Sequence, residues 1–109
     1  MLIYVDIDET ICYHPTQSSG KRDYNHAKPY CERIAKINDL YVQGNTIVYW
    51  TARGTMTGIN WFELTQSQLI TWGAKFHELR MGKPAYDLFI DDKNINSDVY
   101  FAEDTLSVL

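Results

Sequence analysis

Apolar runs that each end on a polar, chemically capable residue set the tightest constraint on how this chain can fold. Leu2-Ile3-Tyr4-Val5 runs into Asp6-Ile7-Asp8-Glu9-Thr10, Thr46-Ile47-Val48-Tyr49-Trp50 into Thr51, and Leu88-Phe89-Ile90 into Asp91-Asp92. Short runs rich in β-branched and aromatic residues, bounded by polar ones, read as buried strands of a parallel sheet. Ligands of open α/β sheets sit beyond the carboxyl ends of the strands. The polar clusters are therefore expected to face one crevice, with Lys83 arriving between the second and third of them.

The segments between these runs supply helices. Residues 11–26 (ICYHPTQSSGKRDYNH) carry Ser, Gly, Pro and charge and read as an exposed loop or small flap. A helix is predicted over 28–42, with Pro29 in its first turn, Ile34, Ile37, Leu40 and Tyr41 at helical spacing, and Gly44-Asn45 closing it. A second strand is predicted over 46–51 and a turn-rich loop over 52–58. A second helix follows over 61–72, with Asn60 and Glu63 as a capping box and Phe62, Thr65, Leu69 and Trp72 on one face. Short strands are expected at 75–79 and 88–91, and a further strand or a helical turn at 99–101. Strand alternating with helix predicts βαβ units. The fold class is thus α/β: a three-layer, Rossmann-like parallel sheet in one domain spanning residues 1–109.

Bulk properties narrow the function. With 109 residues the chain makes one domain, and eight Tyr, four Phe and three Trp supply enough apolar area for a real core. The net charge is −4 and no basic stripe exists, so a nucleic-acid backbone is not an expected partner. Cys12 and Cys31 have no paired-motif spacing, which suits a reducing compartment. Asp6 interrupts the first apolar run and no run is long enough to span a bilayer, so neither a signal peptide nor membrane association is expected and the reading is cytoplasmic.

Asp6 and Asp8 stand two apart, so on an extended backbone their side chains lean the same way. Two such carboxylates repel unless a cation intervenes, and one could attack an electrophile while the other shuttles a proton. A solvated strand end, or the metal-binding DxD of a glycosyltransferase, fits the pair equally well. Asp91-Asp92 tilts the balance: two acidic pairs at two strand ends favour a hard divalent cation, Mg²⁺ above all. Thr51 offers a hydroxyl, and Lys83, in Met81-Gly82-Lys83-Pro84, a compact charge suited to a phosphate oxygen. Together these describe attack on phosphorus with neutralisation of its equatorial oxygens. Arg53 is a candidate for a substrate phosphate or sugar or, equally, for a surface carboxylate. Tyr13, His14, Tyr24 and His26 lie in the flap, where ordinary loop roles are the favoured reading for each over lining a specificity pocket; His77 reads as structural, and Trp50, Trp61 and Trp72 read as packing residues.

The ordered set of DxDxT after a strand, Thr51, Lys83 and Asp91-Asp92 resembles the haloacid dehalogenase superfamily of phosphohydrolases, over nearly the whole chain. The resemblance implies that Asp6 is the nucleophile forming an aspartyl-phosphate and Asp8 the acid and base. It implies that Thr51 and Lys83 hold the phosphoryl group. Mg²⁺ would then lie on Asp6, the Asp8 carbonyl and Asp91, with Asp92 assisting. It also implies a strand order of 5-4-1-2-3, or that order lacking strand 5. Neither insertion point leaves room for a cap domain. The chain is similar to small capless phosphatases of capsule or lipopolysaccharide biosynthesis and their phage-borne relatives. The expected activity is hydrolysis of a sugar phosphate or other small phosphorylated metabolite, with a homo-oligomer or the substrate itself covering the open site. The rival readings are a receiver-like phosphoacceptor domain, disfavoured by the order of its acidic residues and Lys, a binding or scaffold role on a degenerate site, and a nucleic-acid end phosphatase.

Overall fold

The computed structural model describes residues 1–15 and 22–102. Its element order is β1 (Leu2–Val5), β2 (Cys12–Tyr13), a 3-10 turn (Tyr24–His26), β3 (Lys28–Pro29), α1 (Cys31–Val42), β4 (Thr46–Trp50), α2 (Phe62–Thr71), β5 (Glu78–Arg80) and α3 (Ser97–Tyr100). β1, β4 and β5 form a parallel sheet in that order, with Leu2 opposite Thr46 and Val48 opposite Glu78. β2 and β3 make a separate antiparallel pair. No helix among the described residues is long and apolar enough to cross a membrane.

Alternation along β4 explains where the core lies. Ile47 and Tyr49 are both fully buried in one cluster with Val5, Ile7, Ile34, Ile37 and Leu69. Val48, also buried, stands outside that cluster, as a residue pointing to the other face must. Since α1 contributes Ile34 and Ile37 and α2 contributes Leu69 to the same cluster, both crossover helices pack on one face of the sheet. On the other face the Tyr4 ring meets Trp50 edge-on at 5.7 Å and lies under the Arg80 guanidinium. The expectation of three layers is corrected here: the described residues build two.

Further corrections concern boundaries and one missing strand. The first helix begins at Cys31, not near Lys28, because Lys28 and Pro29 pair with Tyr13 and Cys12, and the Tyr30 amide donates to the Ile11 carbonyl at 2.8 Å. Those backbone groups are spent before the helix starts. The stretch expected to be an exposed flap instead places Ile11 and Cys12 in the core with no exposure, while residues 16–21 of it lie outside the described residues. The third strand sits at 78–80, later than expected, and residues 99–101 continue a helical turn rather than a strand. The strand expected at 88–91 does not form: Leu88, Phe89 and Ile90 are 74%, 51% and 87% exposed. Three apolar residues flanked by Asp87 and Asp91-Asp92 lose to local turn bonding, in which Asp91 accepts from the Lys93 amide and Asn94 donates to the Asp91 carbonyl. Among the described residues β1 is consequently an edge of the sheet.

Several sequence expectations hold in the structure. Gly44 and Gly73 end their helices with φ of 99° and 76°, the left-handed geometry expected there. His77 is structural: its Nδ1 accepts from the Ile47 amide and its ring stacks on Tyr41.

Candidate active site

The site gathers at the carboxyl ends of the parallel strands. Asp6 follows β1 directly, Thr51 follows β4, and Lys83 comes three residues after β5. Beyond the strands the backbone keeps bonding: the Thr51 amide donates to the Arg80 carbonyl and the Lys83 amide to the Thr51 carbonyl, each at 3.0 Å. That second bond folds the chain after β5 over the end of β4 and brings Lys83 to Asp6. Lys83 Nζ lies 3.1 Å from Asp6 Oδ1. Burial works against the Lys83 charge, but Asp6, and after it Tyr86, outweigh this and hold its pKa above the ordinary value.

The turn after β1 orients the remaining groups. Glu9 has φ of 61°, an uncommon value for a residue with a Cβ, and it reverses the chain so that the Glu9 amide donates to the Cys12 carbonyl. Thr10 Oγ1 then donates to Asp6 Oδ2 at 3.1 Å. Both oxygens of Asp6 are thus fixed, one by a cation and one by a hydroxyl.

Asp8 is held quite differently. Its carboxylate receives Arg53 Nε at 3.2 Å and 3.0 Å and Arg53 Nη2 at 2.8 Å, and lies 2.8 Å from His14 Nε2. Burial pushes the Asp8 carboxyl up, but hydrogen bonds and charge from Arg53, with a smaller share from His14, more than reverse this and hold it below the usual carboxylate range. Arg53 has no exposed side-chain surface, and its last nitrogen donates to Thr65 Oγ1 and Gln68 Oε1. Its guanidinium also lies over the Tyr24 ring at 4.7 Å. Of the two roles considered for Arg53, the structure places it on a carboxylate, and its donors are consumed there.

Thr51 is 1% exposed, and its hydroxyl accepts from the Arg53 amide. It supports the floor of the site and does not border the cleft. Asp91 and Asp92 are exposed on the loop after β5 and also do not border the cleft. Among the described residues, no three of the carboxylates Asp6, Asp8, Asp91 and Asp92 approach a common point closely enough to share a cation. The side-chain carboxylates of the expected Mg²⁺ set are therefore not gathered as a trio among the described residues. A different trio, Asp8, Cys12 and His14, does bring its donor atoms within 4.8 Å of one another. A metal fits poorly there too, because the Arg53 guanidinium already neutralises Asp8. The Cys12 thiol, moreover, is pushed up to about 12, by burial first and then by the Asp8 charge.

Above Asp6 opens a cleft of about 850 Å³. Asp6, Asp8, Arg53 and Lys83 form part of its lining, with Tyr24, Met56, Ile59, Trp61, Pro84 and Tyr86 among the rest. Gly54, at φ of 82°, lets the loop after β4 close up: a Cβ there would run into the Ile59 carbonyl oxygen. Tyr24 is the flap candidate that reaches the cleft, whereas Tyr13 stacks on Tyr30 and His26 pairs with Asp23. Trp61, read from the sequence as a packing residue, and Tyr86 are cleft residues that sequence reasoning missed. The available signal was position, since Trp61 ends the turn-rich loop that follows Thr51.

No protein-family model and no curated protein matches the chain. Its architecture is similar to the crystal structure of a target protein from Vibrio cholerae, with a TM-score of 0.76 over 98% of this chain and 94% of that one, at 21% identity. The shared feature is the fold: an α/β protein with a short parallel sheet.

Proposed function

We propose that this chain is a phosphomonoester hydrolase of the haloacid dehalogenase type, capless, with Asp6 as the nucleophile. One observation carries the reading: Asp6 and Lys83, 3.1 Å apart, meet in a cleft at the strand ends although 77 positions separate them in sequence. A carboxylate beside a fixed ammonium is suited to attack on phosphorus, because the ammonium neutralises the equatorial oxygens as charge builds. In the first step an Asp6 oxygen bonds to phosphorus as the bond from phosphorus to the ester oxygen breaks, and the departing alcohol takes its proton from solvent. In the second, water attacks phosphorus and passes a proton to Asp8 as the Asp6–phosphorus bond breaks, releasing inorganic phosphate and the free carboxylate. Asp8, kept ionised by Arg53, suits that proton-accepting role and is poorly disposed to donate one.

The test is turnover of p-nitrophenyl phosphate by the wild type and by Asp6→Asn, each with Mg²⁺ and with EDTA. Turnover that disappears in Asp6→Asn supports the reading, and turnover that survives the substitution ends it. Dependence on Mg²⁺ would mean that the loop carrying Asp91 and Asp92 moves to the cleft when the cation binds. Stable labelling by acetyl phosphate without ester turnover would instead indicate a phosphoacceptor domain.

A further inference from the structure

We infer that the cleft selects a nucleoside monophosphate, its phosphate at Lys83 and its base on the aromatic wall formed with Trp61 and Tyr86; this rests on the phosphatase reading of the same site. Two aromatic side chains, Trp61 and Tyr86, line the cleft that holds the Asp6–Lys83 pair. Trp61 is half-buried and keyed in place, meeting the Tyr24 ring edge-on at 5.2 Å. Tyr24 is in turn fixed by the Arg53 guanidinium over its ring and by Gln68 donating to its carbonyl at 2.6 Å. Tyr86 lies across the mouth of the same site, with Lys83 Nζ 5.3 Å from its ring centre, and is 45% exposed. The phosphate-binding charge and an aromatic face are therefore neighbours, which is the pairing that a phosphate and a nucleobase on one ligand require.

Two further observations favour a nucleotide over a bare sugar phosphate, and a monophosphate over longer chains. A hexose presents several hydroxyls that each need a partner once desolvated. Apart from Arg22, Asp23 and Thr57, the rest of the lining shared with the aromatics, Met56, Ile59, Pro84 and Ala85, offers no polar side chain to meet them. A base presents a π-face that any aromatic wall accepts. The cleft has room for a nucleotide, lying in the usual range of about 300–1,000 Å³ for small-molecule sites. Arg53 is spent on Asp8, and among the described residues Lys83 is the cation paired with Asp6, which matches one phosphate group, while Arg22 of the same lining lies 4.0 Å from Glu9.

The experiment compares hydrolysis of AMP, CMP and glucose 6-phosphate with that of glycerol 2-phosphate, in the wild type, Trp61→Ala, Trp61→Phe and Tyr86→Ala. Binding of AMP to the same proteins is followed by calorimetry. The expected result is a wild-type preference for nucleotides over glycerol 2-phosphate in kcat/KM. Trp61→Ala should lower that preference by about ten- to a hundredfold, the effect of losing one base–aromatic stack, with Trp61→Phe restoring part of it. Should Trp61→Ala fail to fold, Tyr86→Ala, at an exposed position, reads the same ratio. Asp6-dependent hydrolysis without a nucleotide preference, or with a preference that both alanine variants leave intact, overturns the inference while the phosphatase reading stands. AMP binding that needs Trp61, with no ester hydrolysed, keeps the nucleotide site and overturns the phosphatase. Neither binding nor hydrolysis overturns both.

Discussion

Replacing Arg53 by Met separates a buried ion pair from a phosphate-binding surface residue more sharply than any other change in this molecule. The Arg53 side chain has no exposed surface and the Asp8 side chain is 9% exposed, so Arg53→Met leaves a buried carboxylate facing only His14 and the Cys12 thiol. Thr65 Oγ1 and Gln68 Oε1 lose their donor at the same time. Removing one member of a buried pair costs about 3–5 kcal/mol, a large part of the roughly 5–15 kcal/mol that holds a domain of this kind together. By the usual scaling this is a fall in Tm of roughly 10–25 °C.

Urea unfolding at pH 7 and at lower pH provides the assay. The Asp8 pKa is depressed in the folded protein, so its stabilisation is fully present above the unfolded carboxylate pKa and is lost as pH falls through the folded value. The gap between wild type and Arg53→Met should therefore be widest near neutrality and narrow in acid. Adding Asp8→Asn to Arg53→Met should recover part of the loss, because the orphaned charge is removed. A cost below about 1 kcal/mol, flat with pH, would refute the reasoning, being the value typical of an exposed pair. Arg53 would then face solvent and be free for substrate.

Two other tests address the core. The Tyr49 hydroxyl is buried in β4 and has no hydrogen-bond partner among the described residues, and burial pushes its phenol up. Tyr49→Phe should leave stability unchanged or raise it by up to about 1 kcal/mol, as seen in the urea midpoint, because an unsatisfied buried donor is itself a cost; a loss larger than that would mean the hydroxyl is bonded. Cys31 is exposed and Cys12 is buried with its thiol pushed up to about 12, so a thiol reagent at pH 8 should titrate one cysteine in the native protein and two after unfolding. Two fast equivalents in the native state would contradict the buried Asp8–Cys12–Arg53 cluster.

Elements whose signal is local were legible in the sequence. The spacing of Ile34, Ile37, Leu40 and Tyr41 marked the buried face of α1, and the run 46–51 marked β4, because periodicity and β-branched content act through near neighbours. Leu88-Phe89-Ile90 misled for the complementary reason: a strand is stabilised by its ladder partner, and three apolar residues do not specify one. The site divides in the same way. Asp6 and Lys83, singled out from the sequence, meet in the cleft, and Tyr24, for which an ordinary loop role was the favoured reading, lines it as well, while Arg53 showed no sequence sign of being a buried partner for Asp8 45 positions away. Trp61 likewise resembled a helix-packing residue until the loop after β4 was seen folded against Gly54.

By itself, then, the sequence determined the alternation of strands and helices and which residues of chemical interest end the strands. Only the tertiary structure decided how those residues are shared out. Asp6 goes to Lys83 and Thr10, Asp8 goes to Arg53 and His14, and Asp91-Asp92 is left on an exposed loop. The physical reason is that a strand's polar end is a local property of the chain. The partner that neutralises a buried carboxylate depends instead on which loops the sheet brings together, and on which cation can be desolvated there at least cost.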